Sequence, residues 1–209
     1  MAFDFKKEFK QFYAPAEKPE IIQIPLMNYL AIYGKGDPNQ KDGEYQKALE
    51  LLYGVAYIIK MSPKSNYNIE GFFDYVVPPL ESLWWQDSND DVGYINKEKF
   101  NWISIIRLPD FVKQKDVQWA KETAAQKKKK DFSKVLFWTY EEGLCVQCMH
   151  IGSYDDEPAT IDKMKRYAQE CGYQIDISDT RRHHEIYLSD PRKTQSSKLK
   201  TIIRLPIKK

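Results

Sequence analysis

A chain of 209 residues, 42% hydrophobic and 30% charged, is long enough to bury one large core or two fused small ones. Its 32 basic and 30 acidic side chains leave a formal charge of +2, too near neutral for a general drive toward phosphate backbones, so nucleic acid is not an expected partner. No apolar run reaches the roughly 18 residues of a membrane span, and the N-terminal MAFDFKKEFK lacks a signal-peptide pattern; with three cysteines read as reduced thiols, a cytoplasmic protein without membrane association is expected.

Phe5, Phe9, Phe12 and Tyr13 follow helical spacing until Pro15 and Pro19 interrupt it, so residues 1–20 read as an N-terminal helical arm. A β-rich run over residues 21–33 ends in the turn GKGDP. A helix follows, with Tyr45, Ala48, Leu49, Leu52, Val55, Ala56 and Ile59 on one apolar stripe. The alternation over 71–77 predicts a middle strand, and FNWISIIRLP a last strand stopped by proline. Residues 112–130 then read as a helix with Val117, Ala120 and Ala124 on one side and a solvated basic end, Lys127 to Lys130.

The same order returns. Residues 144–151 form a β-rich run ending in GSYDDEP. Ile161, Met164, Tyr167, Ala168 and Cys171 mark a helix capped by Asp156 and followed by Gly172. Residues 183–189 predict a middle strand, and SKLKTIIRLP a last strand. The pentamer Ile105-Ile106-Arg107-Leu108-Pro109 recurs unchanged at Ile202-Ile203-Arg204-Leu205-Pro206. These agreements predict an α+β fold made by tandem duplication of a strand–helix–strand–strand unit, with pseudo-two-fold symmetry and a ligand cleft between the halves. Copy one spans 21–112, a connecting helix 113–140 and copy two 141–209. Longer connections in copy one fall at 62–70 and 78–99.

In the strand HHEIYL, His183, Glu185 and Tyr187 share one face, and His184, Ile186 and Leu188 the other. Glu185 is the candidate site acid: buried among rings it could act as a general acid or hold a cation, whereas an exposed face would make it ordinary. Spacing makes Asp74 its counterpart in copy one. Glu81, Trp84 and Trp85 lie on the long connection as PLESLWW, with Trp84 and Trp85 either binding a ligand or anchoring the loop. Trp102, Trp138 and Tyr140 are further wall candidates. Cys145 and Cys148, with His150, His183 and His184 expected nearby on adjacent strands, invite a zinc reading. A single C-x-x-C inside a strand pattern favours structural thiols, so neither metal nor cofactor is expected. GKGDP lacks the spacing of a phosphate-binding loop.

The segments PLESLWW (79–85), SIIRLPDFV (104–112), CVQCMHIGSYDDEPATIDKM (145–164) and RRHHEIYLSDPRKT (181–194) resemble the GyrI-like small-molecule-binding family. The resemblance implies a duplicated strand–helix–strand–strand fold. It also implies kinship with effector-binding domains of multidrug-responsive regulators, which hold aromatic cations beside a buried glutamate, here matched by Glu185. Some stand-alone members hydrolyse cyclopropane-bearing genotoxic compounds. By that likeness Glu185, with Tyr187 beside it, would polarise or protonate the ligand or direct water at the ring, and Trp and Tyr walls, with His183, would hold a flat body. Three functions follow as alternatives: a binder of planar, hydrophobic, cationic molecules, a detoxifying hydrolase, or a protein-interaction module resembling a topoisomerase inhibitor. No DNA-reading helix is evident in the sequence.

Overall fold

The computed structural model describes residues 2–86 and 97–209. Two short helices, α1 (Phe5–Glu8) and α2 (Lys10–Tyr13), lead into the long strand β1 (Glu20–Lys35) and helix α3 (Glu44–Lys60). Strands β2 (Leu80–Trp85) and β3 (Asn101–Arg107) complete copy one, and α4 (Gln114–Lys128) connects it to copy two. There, β4 (Leu136–Ile151), α5 (Glu157–Glu170), β6 (His183–Tyr187) and β7 (Lys200–Lys208) repeat the order, with a two-residue β5 (Gln174–Ile175) beside the end of β7.

Six strands close on themselves in the order β4-β1-β3-β2-β6-β7, and β7 pairs back to β4. All these pairings are antiparallel. Closure leaves these strands no long free edge. Every strand sends alternate residues inward. Ile24, Tyr29, Leu83, Ile103, Ile105, Cys145, Ile186 and Ile202 form one buried cluster, plugged by Phe5, Phe12 and Tyr13 of the arm. The outward residues meet the helices. α3 and α4 cover Leu30, Ile32, Trp102 and Ile106 of copy one, whereas Met164 and Ala168 of α5 cover Val146, Cys148, Ile203 and Leu205 of copy two.

The middle strand of copy one differs from the sequence expectation. Residues 71–77 do not form a strand of the barrel. Gly71 has φ +74, and Phe3 exchanges backbone hydrogen bonds with Asp74 and Val76, so this segment pairs with the arm through a single bridge. The strand is PLESLWW itself. Leu80, Ser82 and Trp84 face the helices while Glu81, Leu83 and Trp85 face the barrel end or interior. A strand covered on both faces shows no hydrophobic alternation, which is why its pattern passed for a connection. β4 also begins at Leu136, inside the span expected to be connecting helix, and α4 ends at Lys128. Of the connection at 78–99, residues 87–96 lie outside the described residues.

The repeat register locates the symmetry. Ile105 faces Glu81, its equivalent Ile202 faces Ile186, and Glu81 and Ile186 face each other across the β2–β6 pair. The pseudo-two-fold axis therefore passes between Glu81 and Ile186.

Candidate functional site

The β2–β6 seam is the floor of a cleft of about 1330 Å³ on the outside of the barrel. Tyr45, Leu49, Tyr53 and Tyr57 of α3 form one wall. Tyr154 and Glu157, at the start of α5, form part of the other, and the mouth carries Asp190 and Arg192. Lys97 of copy one meets Asp155 of copy two at 3.1 Å, joining the two rims.

On the floor, period-two geometry places His183, Glu185 and Tyr187 on the outward face of β6. Glu185 is 8% exposed and accepts two hydrogen bonds from its own strand. His183 Nε2 lies 2.9 Å from Oε1, and the Tyr187 hydroxyl donates to Oε2 at 2.8 Å. Trp84 Nε1 in turn donates to the Tyr187 hydroxyl at 2.9 Å. Burial, reinforced by the Glu185 carboxylate, holds Tyr187 well above the usual tyrosine range, so its hydroxyl keeps the proton it donates. Beside this chain, the Tyr45 hydroxyl reaches Ser82 Oγ at 3.0 Å, and Ser82 reaches Ser104 Oγ at 3.1 Å. Burial pushes Tyr45 up to about 12, against the hydrogen bonds of those serines. The Tyr45 and Trp84 rings lie 5.4 Å apart, and Tyr154 meets Tyr187 edge-on at 5.9 Å. The cleft thus offers aromatic faces around one oriented carboxylate.

Immediately behind, inside the barrel, lies a second buried polar group. His184 Nδ1 is 3.0 Å from Glu142 and its Nε2 3.0 Å from Glu81. Arg204 contacts Glu142 at 3.4 Å and Gln147 at 3.0 Å, and donates to the Phe12 carbonyl at 2.6 Å. Burial lowers the His184 pKa, but Glu142 and Glu81 outweigh it and raise the value to about 9. Burial raises Glu142, yet His184 and Arg204 pull it down to about 2. The imidazolium is thereby clamped between two acids directly behind the strand that carries Glu185.

The sequence candidates separate accordingly. Glu185, Tyr187, His183 and Trp84 come together. Asp74 does not: its side chain is exposed and paired with Lys60 at 2.8 Å, outside the cleft. The residue equivalent to Glu185 is Leu80, since Ile203 faces Glu185 and its equivalent Ile106 faces Leu80. Glu81 points into the barrel toward His184. Trp85 lies on the opposite strand face from Trp84, under the Arg182 guanidinium at 4.7 Å. Trp102 is fully buried behind the wall, edge-on to Tyr45 at 5.1 Å, and Gly34 lies against its ring. Trp138 and Tyr140 stack on each other at 4.5 Å and pack on the barrel cluster, away from the cleft.

Cys145 faces the barrel interior and Cys148 faces α5, on opposite sides of β4, so they cannot grip one ion together. His150 is bonded to Thr160 and the Ser153 carbonyl, each at 2.9 Å.

Sequence reasoning missed Tyr53, Tyr57, Tyr154 and Glu157, and read Tyr45 only as core. Tyr53 and Tyr57, four apart on α3, flank the buried stripe, a signal that could have marked a second, cleft-facing side of that helix. Glu157, the first residue of α5, is fully buried, and nothing in the sequence distinguishes it from the exposed Asp155 and Asp156 just before it.

A family model of the GyrI-like small molecule binding domain matches residues 17–208. The chain belongs to that family. Two crystal structures described as hydrolases from Listeria innocua are 47% and 46% identical to this GyrI-like chain. They cover 99% and 100% of it and 100% of their own chains, with TM-scores of 0.90 and 0.91. The EcmrR C-terminal domain is 14% identical with a TM-score of 0.54, over 92% of this chain and 98% of its own, and shares the fold. No curated protein matches. Among the described residues no helix is long and apolar enough to cross a membrane.

Proposed function

We propose that the cleft binds planar, hydrophobic, cationic small molecules and that the protein hydrolyses electrophilic ones, with cyclopropane-bearing genotoxic compounds as the substrate class. The observation that carries this reading is Glu185. A nearly buried carboxylate, oriented by Tyr187 and His183, faces a cleft walled by tyrosine and tryptophan rings. The description of proteins 46–47% identical over the whole chain as hydrolases supports turnover beyond binding.

For a cyclopropane conjugated to a carbonyl, Glu185 accepts a proton from water as the water oxygen bonds to a ring carbon. The strained C–C bond breaks, its electron pair passes to the carbonyl oxygen, and that oxygen takes up a proton, so that water is added overall. The rings hold the flat body against this edge and exclude competing solvent.

The test has two parts. A planar cationic dye should quench tryptophan fluorescence, with Trp84 as the reporting ring, and a cyclopropane-bearing alkylator should be converted to its ring-opened hydrate by mass. Glu185→Gln should bind and not convert. Conversion that survives unchanged in Glu185→Gln removes Glu185 from the reaction, and the absence of any quenching removes the cleft as the binding site.

A further inference from the structure

The floor of the cleft holds more acid than the hydrolytic reading uses. Glu157, the first residue of α5, brings its carboxylate in from the wall to the outward face of β6. One oxygen or nitrogen from each of Glu157, His183 and Glu185 lies within 4.8 Å of the others. All three side chains are buried, at 0%, 1% and 8% exposure. Two carboxylates and one imidazole converging at a buried position make a donor set of the kind that holds a divalent cation.

We propose that Glu157, His183 and Glu185 form a binding site for one divalent transition-metal ion, of the Zn²⁺ or Mn²⁺ type. Several features of the geometry fit. Bonds of roughly 2.0–2.2 Å to nitrogen and oxygen ligands bring those ligand atoms about 3–3.5 Å apart in a tetrahedral shell. His183 Nε2 and Glu185 Oε1 already stand at 2.9 Å, and the Glu157 ligand atom lies within 4.8 Å of both. Residues two apart on a strand supply two ligands from one face, and a helix start supplies the third. The second oxygen of Glu185 is held by the Tyr187 hydroxyl at 2.8 Å, and Trp84 holds Tyr187. That is the outer layer of hydrogen bonds that orients a ligating carboxylate.

Imidazole with two carboxylates suits zinc or manganese better than copper(I), which prefers sulfur, or magnesium, which prefers oxygen alone. Three protein ligands leave at least one position open toward the cleft, as in catalytic rather than structural sites. The competing explanation is that Glu157 answers the partial positive charge at the start of α5, with Glu185 already satisfied by His183 and Tyr187.

The experiment is isothermal titration of chelator-stripped wild-type protein with zinc chloride and with manganese chloride, no organic compound being present. The expected result is one ion per chain with a dissociation constant in the micromolar range or below. Glu157→Gln and His183→Gln should each weaken binding at least tenfold, and Cys148→Ser should leave it unchanged. Paramagnetic relaxation of water protons by the bound manganese should report an ion with an open, water-filled position. Uptake of neither ion by wild-type protein overturns the proposal, as does binding that Glu157→Gln and His183→Gln leave intact. The result is separable from the hydrolase reading. Stripped protein that takes up no ion yet still converts the alkylator sinks the metal site alone, whereas stoichiometric, variant-sensitive binding without dye quenching or conversion upholds the site and sinks the hydrolase.

Discussion

Leu80 and Glu185 occupy equivalent positions in the two copies, one facing Ile106 and the other Ile203 across their respective strand pairs. Both line the cleft. The duplication thus places one apolar and one acidic side chain at a position that symmetry would make identical, and a ligand lying across the seam meets two different ends. Under the proposed function, a polarised or cationic end lies over copy two.

Replacing Glu185 by leucine, the residue copy one uses, tests that asymmetry. Conversion of the alkylator should fall by about 10²–10⁴-fold, the usual contribution of a positioned acid or base. The variant should also lose about 1–3 kcal/mol in urea unfolding, because the Tyr187 hydroxyl and a His183 nitrogen lose their partner in a buried site. Glu185→Gln keeps an acceptor for Tyr187 and should lose the same activity with less than about half that stability cost. If the two variants differ in activity rather than stability, the carboxylate is not the element that matters.

Asp74 supplies the control. Its charge is spent on Lys60 at 2.8 Å with the carboxylate in solvent, and it shares no wall with the cleft. Asp74→Asn should leave dye binding and conversion within twofold of wild type. A drop comparable to that of Glu185→Gln would mean that the spacing argument, rather than the strand register, had paired the acids rightly.

The duplicated order of elements was legible because its signals are short stretches of chain: the IIRLP pentamer, two amphipathic helices and the HHEIY strand each declare themselves within a single element. The middle strand of copy one was not. PLESLWW is covered on both faces, and its polar members, Glu81 and Ser82, answer partners distant in sequence, His184 and Tyr45. The same holds for Glu157, whose burial comes from strand β6 arriving beside it. Glu185 could be singled out because the resemblance and the strand alternation met on one residue. Asp74 failed because spacing was carried across a connection whose length differs between the copies.

Tyr45 is predicted to be held in place from behind. A Cβ on Gly34 would come 2.2 Å from the Trp102 ring, and Trp102 meets Tyr45 edge-on. Gly34→Ala should therefore displace Trp102 and cost about 1–3 kcal/mol, the range for overpacking a filled core. The disturbance should pass to the cleft as a several-fold weaker dye affinity, without the collapse of conversion expected for Glu185 variants. Fluorescence titration and urea unfolding of the same sample measure both effects.

Stability should show a plateau set by the clamp behind the site. His184 has its pKa raised from 6.5 to about 9 in the folded protein. Its contribution is therefore complete below pH 6.5, where the unfolded chain also carries the proton, and is lost as pH rises from there through about 9. Glu142 has its pKa lowered from 4.5 to about 2, so its contribution is complete above pH 4.5 and is lost as pH falls through about 2. Between these limits, from pH 4.5 to 6.5, the pair contributes its maximum, and urea midpoints should decline on both sides. His184→Gln should be destabilised by about 3–5 kcal/mol, since it leaves Glu81 and Glu142 buried with one fewer positive partner. In that variant the decline from pH 6.5 to 9 should flatten, because the group that loses its proton there is gone. An alkaline limb of unchanged slope in His184→Gln would show that the imidazole is not held as a cation between the two acids.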